Sequence, residues 1–400
     1  MKHFYENIKT PVQFETEVAV AGGGIAGIAA ALAAARHGKK VILIEKQCIL
    51  GGLATAGLIA VYLPLCDGMG HQVSFGIAEE LLKLSVQEGR KIKYPEAWFK
   101  NSSVEEKKKE RYEVQFNPQM FALLLEELLL SYDVKILYDT KICGVHVENN
   151  KIQALTIENK SGRSAVAAEN FVDATGDADI FWYGGAPTFN HVAKNRAAAW
   201  YYYNTSKSGT KLKILGECDS AMKENENLQK KIPAFRYSGL DGEENSRLLY
   251  TSHSVSLKDI RESRRRDVSY EPVTLATMPQ VRMTRRFSGV YTLKEQEKNV
   301  HFADSIGMVA DWRKKGAVYE IPFRCLYADK IENLIGAGRC VSVDEGMWDI
   351  SRVIPGCAVT GEAAGTAASL CCDFRSLSVH VLQDALRHQG QKITFQEAGL

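Results

Sequence analysis

The stretch Val18-Ala-Val-Ala-Gly22-Gly23-Gly24-Ile25-Ala26-Gly27, continued by Ile28 to Ala35 and by Val41-Ile-Leu-Ile-Glu45, decides the fold. It reads as a strand, a glycine turn, an alanine-rich helix, a second strand and a carboxylate at that strand's end. Gly22 permits the tight turn, Gly24 lets backbone approach a pyrophosphate, and Gly27 lets helix and strand pack closely. The amides of Ile25 and Ala26 open the helix, where the macrodipole adds about half a positive charge. Glu45 stands about twenty residues on, where a carboxylate accepts from ribose hydroxyls. Two plainer readings compete. A βαβ unit without ligand has no use for all these parts together. A membrane span is opposed by the many Ala and Gly residues between Val18 and Ala35. Glu15 and Glu17, just before it, oppose a signal peptide. The expectation is a cytoplasmic protein with no membrane span.

Working outward, the chain continues Lys46-Gln47-Cys48-Ile49-Leu50-Gly51-Gly52-Leu53-Ala54-Thr55. Glycine at Gly51 and Gly52 lets a second backbone segment come close to a long ligand. Helix signals follow at Asn117-Pro118, an N-cap followed by proline at the first helical position. Short strands are expected at Val134–Tyr138, Gly144–Val147, Ile152–Ile157 and Ser164–Ala167, with a turn at Asn149-Asn150. They lead into Phe171-Val172-Asp173-Ala174-Thr175-Gly176-Asp177. Trp200-Tyr-Tyr-Tyr203 is expected as a strand on propensity, a substrate wall being the alternative. Lys207–Lys231 and Asp241–Ser246 look like charged, exposed loop or helix, and Arg261–Arg266 like a charged helix face. Late in the chain Asn333-Leu-Ile-Gly336-Ala337-Gly338-Arg339 reads as a strand entering a glycine turn. Ser351-Arg352-Val353-Ile354-Pro355-Gly356-Cys357 then opens a final helix.

Bulk composition excludes several classes. Four hundred residues suffice for two cores, and a net charge of +2 gives no electrostatic case for nucleic acid. Nine cysteines carry no metal-type spacing and no CxxC, so neither a metal site nor a disulfide reductase is expected. Reduced thiols follow from the odd count.

With these segments quoted, the chain resembles the FAD-dependent oxidoreductase family, of the glutathione-reductase-like FAD fold and related to succinate dehydrogenase and fumarate reductase flavoproteins. The resemblance rests on Gly22–Gly27, Glu45, Gly51-Gly52 and Asp173–Asp177. It rests also on Arg282-Met-Thr-Arg285-Arg286, Ile321–Leu326, Asn333–Arg339 and Arg352 through Gly365. It implies an α/β fold: a Rossmann-like FAD-binding domain of the glutathione-reductase type with an inserted α+β substrate domain. The expected division is 1–60, 116–182 and 326–375 for FAD, 61–115 and 183–325 for substrate, and a C-terminal tail at 376–400.

The resemblance also implies site residues. Cofactor contacts are expected from Gly22, Gly24, Ile25, Ala26, Gly27, Glu45, Lys46, Gly51, Gly52 and Thr55. Ile142, Ala174, Thr175, Gly176, Asp177, Gly338, Arg339, Arg352, Pro355 and Gly356 complete the set. Ile142 would offer backbone to adenine, and Asp177 would steady the ribityl or phosphate region, unless it caps the next turn. Pro355 at the first helical position would leave the amides of Gly356, Cys357 and Ala358 free to stabilise reduced flavin. The segment at Gly51–Thr55 lacks the histidine that tethers flavin in succinate dehydrogenases, so noncovalent FAD is expected.

For substrate chemistry, arginine is the usual residue for bidentate carboxylate or phosphate recognition. Arg285 and Arg324, with His191 as acid–base group, are the candidate catalytic residues. The expected reaction is hydride transfer between flavin N5 and a small organic substrate. The alternatives are an NAD(P)H-dependent flavin monooxygenase and a flavoprotein whose FAD is structural in a modifying assembly. Oligomeric state is not legible.

Overall fold

The computed structural model describes residues 3–88, 94–100, 102–216 and 233–400. The elements that position the site are, in chain order, β1 (Val12–Ala21), α1 (Ile25–Arg36), β2 (Val41–Ile44), α2 (Ile77–Ser85) and α3 (Pro118–Leu130). Next come β3 (Lys135–Leu137), β4 (Lys141–Glu148), β5 (Lys151–Asn159) and β6 (Gly162–Asp173). The middle of the chain supplies β7 (Ala199–Asn204), β8 (Lys211–Leu215), α4 (Gly242–Arg266) and β9 (Glu271–Leu275). The return is made by β10 (Ser305–Ala310), β11 (Val318–Pro322), β12 (Leu334–Gly336), α5 (Glu345–Ser351), α6 (Ile354–Leu370) and α7 (Val379–His388).

The main sheet runs β3-β2-β1-β6-β5-β4, with β12 also paired to β6. β1 pairs in parallel with both β2 and β6 (Val18↔Val41, Ala19↔Phe171). The first half of β6 closes an antiparallel meander with β5 and β4, whose turn places Asn149 and Asn150 at positive φ. Its last three residues pair in parallel with β12, from Leu334↔Phe171 to Gly336↔Asp173. Alternation sorts the two faces: Val18 and Val20 enter the core beneath the helices, Ala19 and Ala21 the core on the meander side. The Asn117 side chain caps α3 by accepting from the Gln119 and Met120 amides, as the sequence predicts.

α1 and α6 lie against each other through small residues. A Cβ on Gly361 would stand 2.2 Å from the Ala26 carbonyl oxygen, and one on Gly365 2.1 Å from that of Ala30. Ala358, Ala363, Ala364 and Ala367 are fully buried, so backbone packs on backbone. This contact fixes the starts of both helices beside the same cavity.

The core does not divide where the sequence pattern divides it. Ile77, Leu81 and Leu82 of α2, in a segment expected to leave the nucleotide domain, join the core of α1, α3 and α6. So do Ile306 and Val309 of β10 and Tyr319 and Ile321 of β11. The expected tail is a further correction: α7 buries Leu382 and Leu386 in this core, and the Ser305 hydroxyl donates to the Ile393 carbonyl. α6 is therefore not the last helix. The middle region has its own small core instead. There β8-β7-β9 form an antiparallel sheet, and Tyr201 and Leu215 pack with Ile260 of α4. Trp200–Tyr203 is a strand, as propensity predicts, and Arg261–Arg266 ends α4. Of Lys207–Lys231, Lys211–Leu215 is the strand β8, and 217–231 lie outside the described residues.

Candidate cofactor and substrate cavity

One cavity of about 380 Å³ follows the C-terminal edge of the sheet. That is where open α/β sheets bind ligands, at the switch point. Gly22, Gly24, Ile25 and Ala26 line it from the turn and the start of α1, and Glu45 and Lys46 from the end of β2. Gly22 sits at φ 105°, a conformation that glycine adopts without strain, and its amide donates to the Ile44 carbonyl at 2.8 Å. A Cβ on Gly24 would meet no protein atom within 4 Å, so it would protrude into the cavity. No acid stands in the first turn of α1, and the N-cap Gly24 offers no side-chain acceptor. The first-turn amides are thus left for a bound anion.

Glu45 is buried at 6 % exposure. Its Oε2 accepts from the Gly23 amide at 2.6 Å and its Oε1 from the Gln47 amide at 2.7 Å. The carboxylate thereby locks the glycine turn to the segment after β2, and each oxygen retains lone pairs for ribose hydroxyls. Gly51 and Gly52 lie across from the turn, with a bridge from Gly24 to Gly51. Ile142, Ala174, Thr175, Gly176, Asp177, Gly338, Arg339 and Arg352 also line the cavity.

Four expected contacts stand elsewhere. Gly27 lies beneath the turn, where a Cβ would sit 1.8 Å from the Gly22 carbonyl oxygen. Thr55 is fully buried and donates its hydroxyl to the Leu50 carbonyl, holding the Gly51 turn. Pro355 and Gly356 are buried in α6; the residues that reach the cavity there are Ile354 and Cys357. Ile354 takes the first helical position, and the Cys357 amide donates to the Val353 carbonyl. The free amides are therefore those of Ile354 and Gly356 by position, because the helix starts one residue earlier than expected.

Asp177 and Arg339 form a buttress. Arg339 donates from Nη2 to Asp177 Oδ1 and from Nη1 to the Val281 carbonyl, both at 2.6 Å, and from Nε to the Gly176 carbonyl at 2.7 Å. Thr284 Oγ1 also donates to Asp177 Oδ1, and Ala178 is the N-cap of the next helix, so Asp177 is no cap. Behind it Asp173 accepts from the Thr175, Ile180 and Phe181 amides, and burial raises its carboxyl to about 6. Burial also holds the Cys357 thiol up to about 12 against the opposing charges of Arg339 and Arg352, so it remains protonated.

The candidate catalytic residues lie outside the cavity lining, and each is committed to a partner. Arg285 donates to the Asp177 carbonyl and to Asp179 Oδ1 at 2.6 Å, and stacks over Trp182. Arg324 grips Asp304 with Nε and Nη2, beside Tyr291. His191 Nδ1 lies 2.8 Å from Glu345 Oε2, its ring edge-on to Trp348. Burial of a guanidinium or imidazole needs such partners, and the same residue types therefore arise for purely structural reasons. The middle region contributes a wall that the sequence did not mark: Gly239, Asn245, Met278, Pro279 and Val281. Nothing in a loop such as Leu275–Pro279 signals its place at a cavity, because the contact is made across the fold.

A glycine turn, a carboxylate and an opposed glycine pair enclosing one cavity on a parallel sheet define a dinucleotide-binding α/β protein. The sequence profile described as FAD dependent oxidoreductase matches residues 17–199 and 225–389, and the chain belongs to that family. FAD is its cofactor, and the protein is an FAD-dependent oxidoreductase. Its fold is similar to that of a geranylgeranyl bacteriochlorophyll reductase-like protein from Thermoplasma acidophilum, at TM-score 0.51 and 12 % identity. That match covers 96 % of this chain and 95 % of the other. It is also similar to p-nitrophenol 4-monooxygenase PnpA from Pseudomonas putida DLL-E4, at TM-score 0.51 and 12 % identity, covering 94 % and 84 %. No curated protein sequence matches the chain. Among the described residues no helix is long and apolar enough to cross a membrane, and no cluster of His, Cys, Asp or Glu could hold a metal.

Proposed function

We propose that the chain moves a hydride between FAD and a small organic substrate held against the middle-region wall. The observation that carries this reading is the continuity of the cavity. It runs from Glu45 and Ile142, past Gly24 and Arg339, to Asn245, Met278 and Val281. The first part suits the nucleotide half of an extended cofactor, and the last part leaves the reacting end beside a separate structural unit. FAD supplies a centre that accepts or releases a hydride with its two electrons. The protein's residues bind and orient. The turn amides of α1 hold the pyrophosphate, Glu45 accepts from the ribose, and the start of α6 sets a positive dipole end at the cavity. The Asp177–Arg339 pair fixes the Gly176 backbone against the Val281 segment.

Attachment is noncovalent in this reading. No histidine or tyrosine lines the cavity among the described residues, and the Cys357 thiol is protonated and directed to the Arg352 carbonyl. Anaerobic titration of the yellow holoprotein tests the function. Bleaching near roughly 450 nm by an organic metabolite without NAD(P)H supports hydride transfer. NADPH consumption coupled to oxygen uptake and hydroxylated product would replace it with monooxygenation. Release of all flavin into the filtrate after acid denaturation supports noncovalent binding; flavin retained on the protein would overturn it.

A further inference from the structure

The middle-region wall carries no charged side chain: it is Gly239, Asn245, Met278, Pro279 and Val281. Met278 has a second role. It also lines a crevice of about 10 Å³ between α4 and the β7–β9 sheet, the room of a single water. Trp200, Leu249, Leu275 and Ala276 form the sides of this crevice. Ser256 and His253 also line it, and its other polar groups are bonded within the protein. Gln280 donates to the Gly57 carbonyl at 2.6 Å and accepts from the Trp200 amide at 3.2 Å. The Trp200 indole donates to the Gly216 carbonyl and Ser252 to the Ala198 carbonyl. Beside Ser256 and His253, hydrocarbon and ring face the crevice. At its outer side Leu275, which lines it, is 38 % exposed. A partly apolar track thus runs from the exposed Leu275 to the cavity, interrupted at Met278, an unbranched and readily displaced side chain.

The cations nearby are not available to a carboxylate. Arg339 is bonded three times over, Arg352 holds Asp349, and Arg282 stacks on Trp200. Lys46 stands with Glu45, and Lys141 beside Ile142, at the opposite end of the cavity. The polar side chain in this wall is Asn245. Its nitrogen donates to the Gly239 carbonyl at 3.2 Å, which orients the amide. Its oxygen is buried and has no hydrogen-bond partner.

We propose that the substrate is an uncharged, largely apolar organic compound that enters through the crevice between α4 and β7–β9, passes Met278, and offers a hydroxyl or N–H to the Asn245 oxygen. This rests on the hydride-transfer reading above and adds the class of substrate and its route. A dicarboxylate or phosphate ester would have to strip Arg339 or Arg352 from its partner.

The test uses the FAD-loaded full chain with 2-naphthol as the uncharged probe and succinate as the charged one. Binding is read from the flavin absorbance change, with association followed by stopped flow. The expected result is a saturable change with 2-naphthol and none with succinate. Ala276→Trp, which plugs the crevice outside the cofactor cavity, should slow association by about tenfold at unchanged FAD content. Met278→Ala should speed it. Ala276→Trp and Met278→Ala together separate blockage from misfolding, since they push the rate in opposite directions. Succinate perturbing the flavin while 2-naphthol does not, or wild-type association rates in both variants, would overturn the proposal and leave the function intact. A protein that cannot be loaded with FAD would instead remove the function itself, and the proposal with it.

Discussion

Gly361→Ala and Gly365→Ala probe the helix contact that builds the cofactor site. In an isolated helix either change stabilises by about 1 kcal/mol, because alanine loses less backbone entropy. The structure reverses the sign. The added methyl would stand 2.2 Å from the Ala26 carbonyl oxygen at Gly361 and 2.1 Å from that of Ala30 at Gly365. Ordinary contact begins near 3.4 Å, so α1 and α6 must part by about 1.2 Å. Overpacking of this kind costs about 1–3 kcal/mol. With an unfolding entropy of about 2.1 cal/mol/K per residue, 400 residues give ~0.8 kcal/mol/K, so Tm falls by about 1–4 °C. The two variants differ in what else they lose. Ala26 lines the cavity and Ala30 lies a turn deeper, so Gly361→Ala should also weaken FAD binding, while Gly365→Ala chiefly lowers Tm. Differential scanning calorimetry at saturating FAD gives the first quantity, and quenching of FAD fluorescence gives the second. Gly242→Ala is the control, because a Cβ there meets nothing within 4 Å. If Gly361→Ala and Gly365→Ala melt at or above the wild-type temperature, as Gly242→Ala should, the helices are not in backbone contact and the argument is wrong.

Glu45→Ala removes the acceptor of the Gly23 and Gln47 amides, and should raise the FAD dissociation constant by about 10–100-fold in a fluorescence titration; an unchanged constant would end its role. Arg339→Ala removes the Val281 carbonyl's donor and leaves the Asp177 charge at the cavity with the Thr284 hydroxyl alone, and should yield flavin-depleted protein after desalting. Arg324→Ala breaks the Asp304 pair and the Tyr291 contact, both away from the cavity lining, and should retain full flavin content and wild-type flavin reduction rates; loss of either would return Arg324 to the site. Glu362 is fully buried, and burial raises its carboxyl from 4.5 to about 8. The folded chain therefore holds this proton through a range in which the unfolded chain has released it. That contribution to stability is complete below pH 4.5 and is lost as pH rises toward 8, with a slope of at most about 1.4 kcal/mol per pH unit. Denaturant melts across this window should show a shallower loss in Glu362→Gln, and identical slopes would contradict the assignment.

The nucleotide half of the molecule was legible because its signals are local. A turn such as Gly22–Gly27 is written in adjacent residues, and the strand alternation around it follows from a period of two. The N-cap at Asn117 and the turn at Asn149-Asn150 belong to the same kind of signal. The boundaries of the core were not legible. Leu81, Ile306 and Leu386 pack together around α6 from three distant parts of the chain, and no window of sequence contains that information. The offset in α6 has a similar origin. Proline suits the first turn of a helix at more than one position, and the backbone path leaving α5 placed Ile354, not Pro355, first.

The candidate catalytic residues show why substrate chemistry was the least readable part. Counting arginines assumes that each guanidinium is free to meet a ligand. Arg285, Arg324, Arg339 and Arg352 instead meet Asp179, Asp304, Asp177 and Asp349. Arg285, Arg339 and Arg352 are nearly buried and must be neutralised by something, and when the protein supplies the carboxylate itself, none is left to be supplied by the substrate. On the proposed reading discrimination falls to the Met278–Pro279 loop and the Trp200 side of the middle sheet. Apolar surface carries no directional signal in sequence, since Met and Trp are as common in an inert core as in a binding wall. On that proposed reading the residues that choose the substrate are ones a motif search passes over, while Arg339 and Arg352 hold the cavity lining in shape.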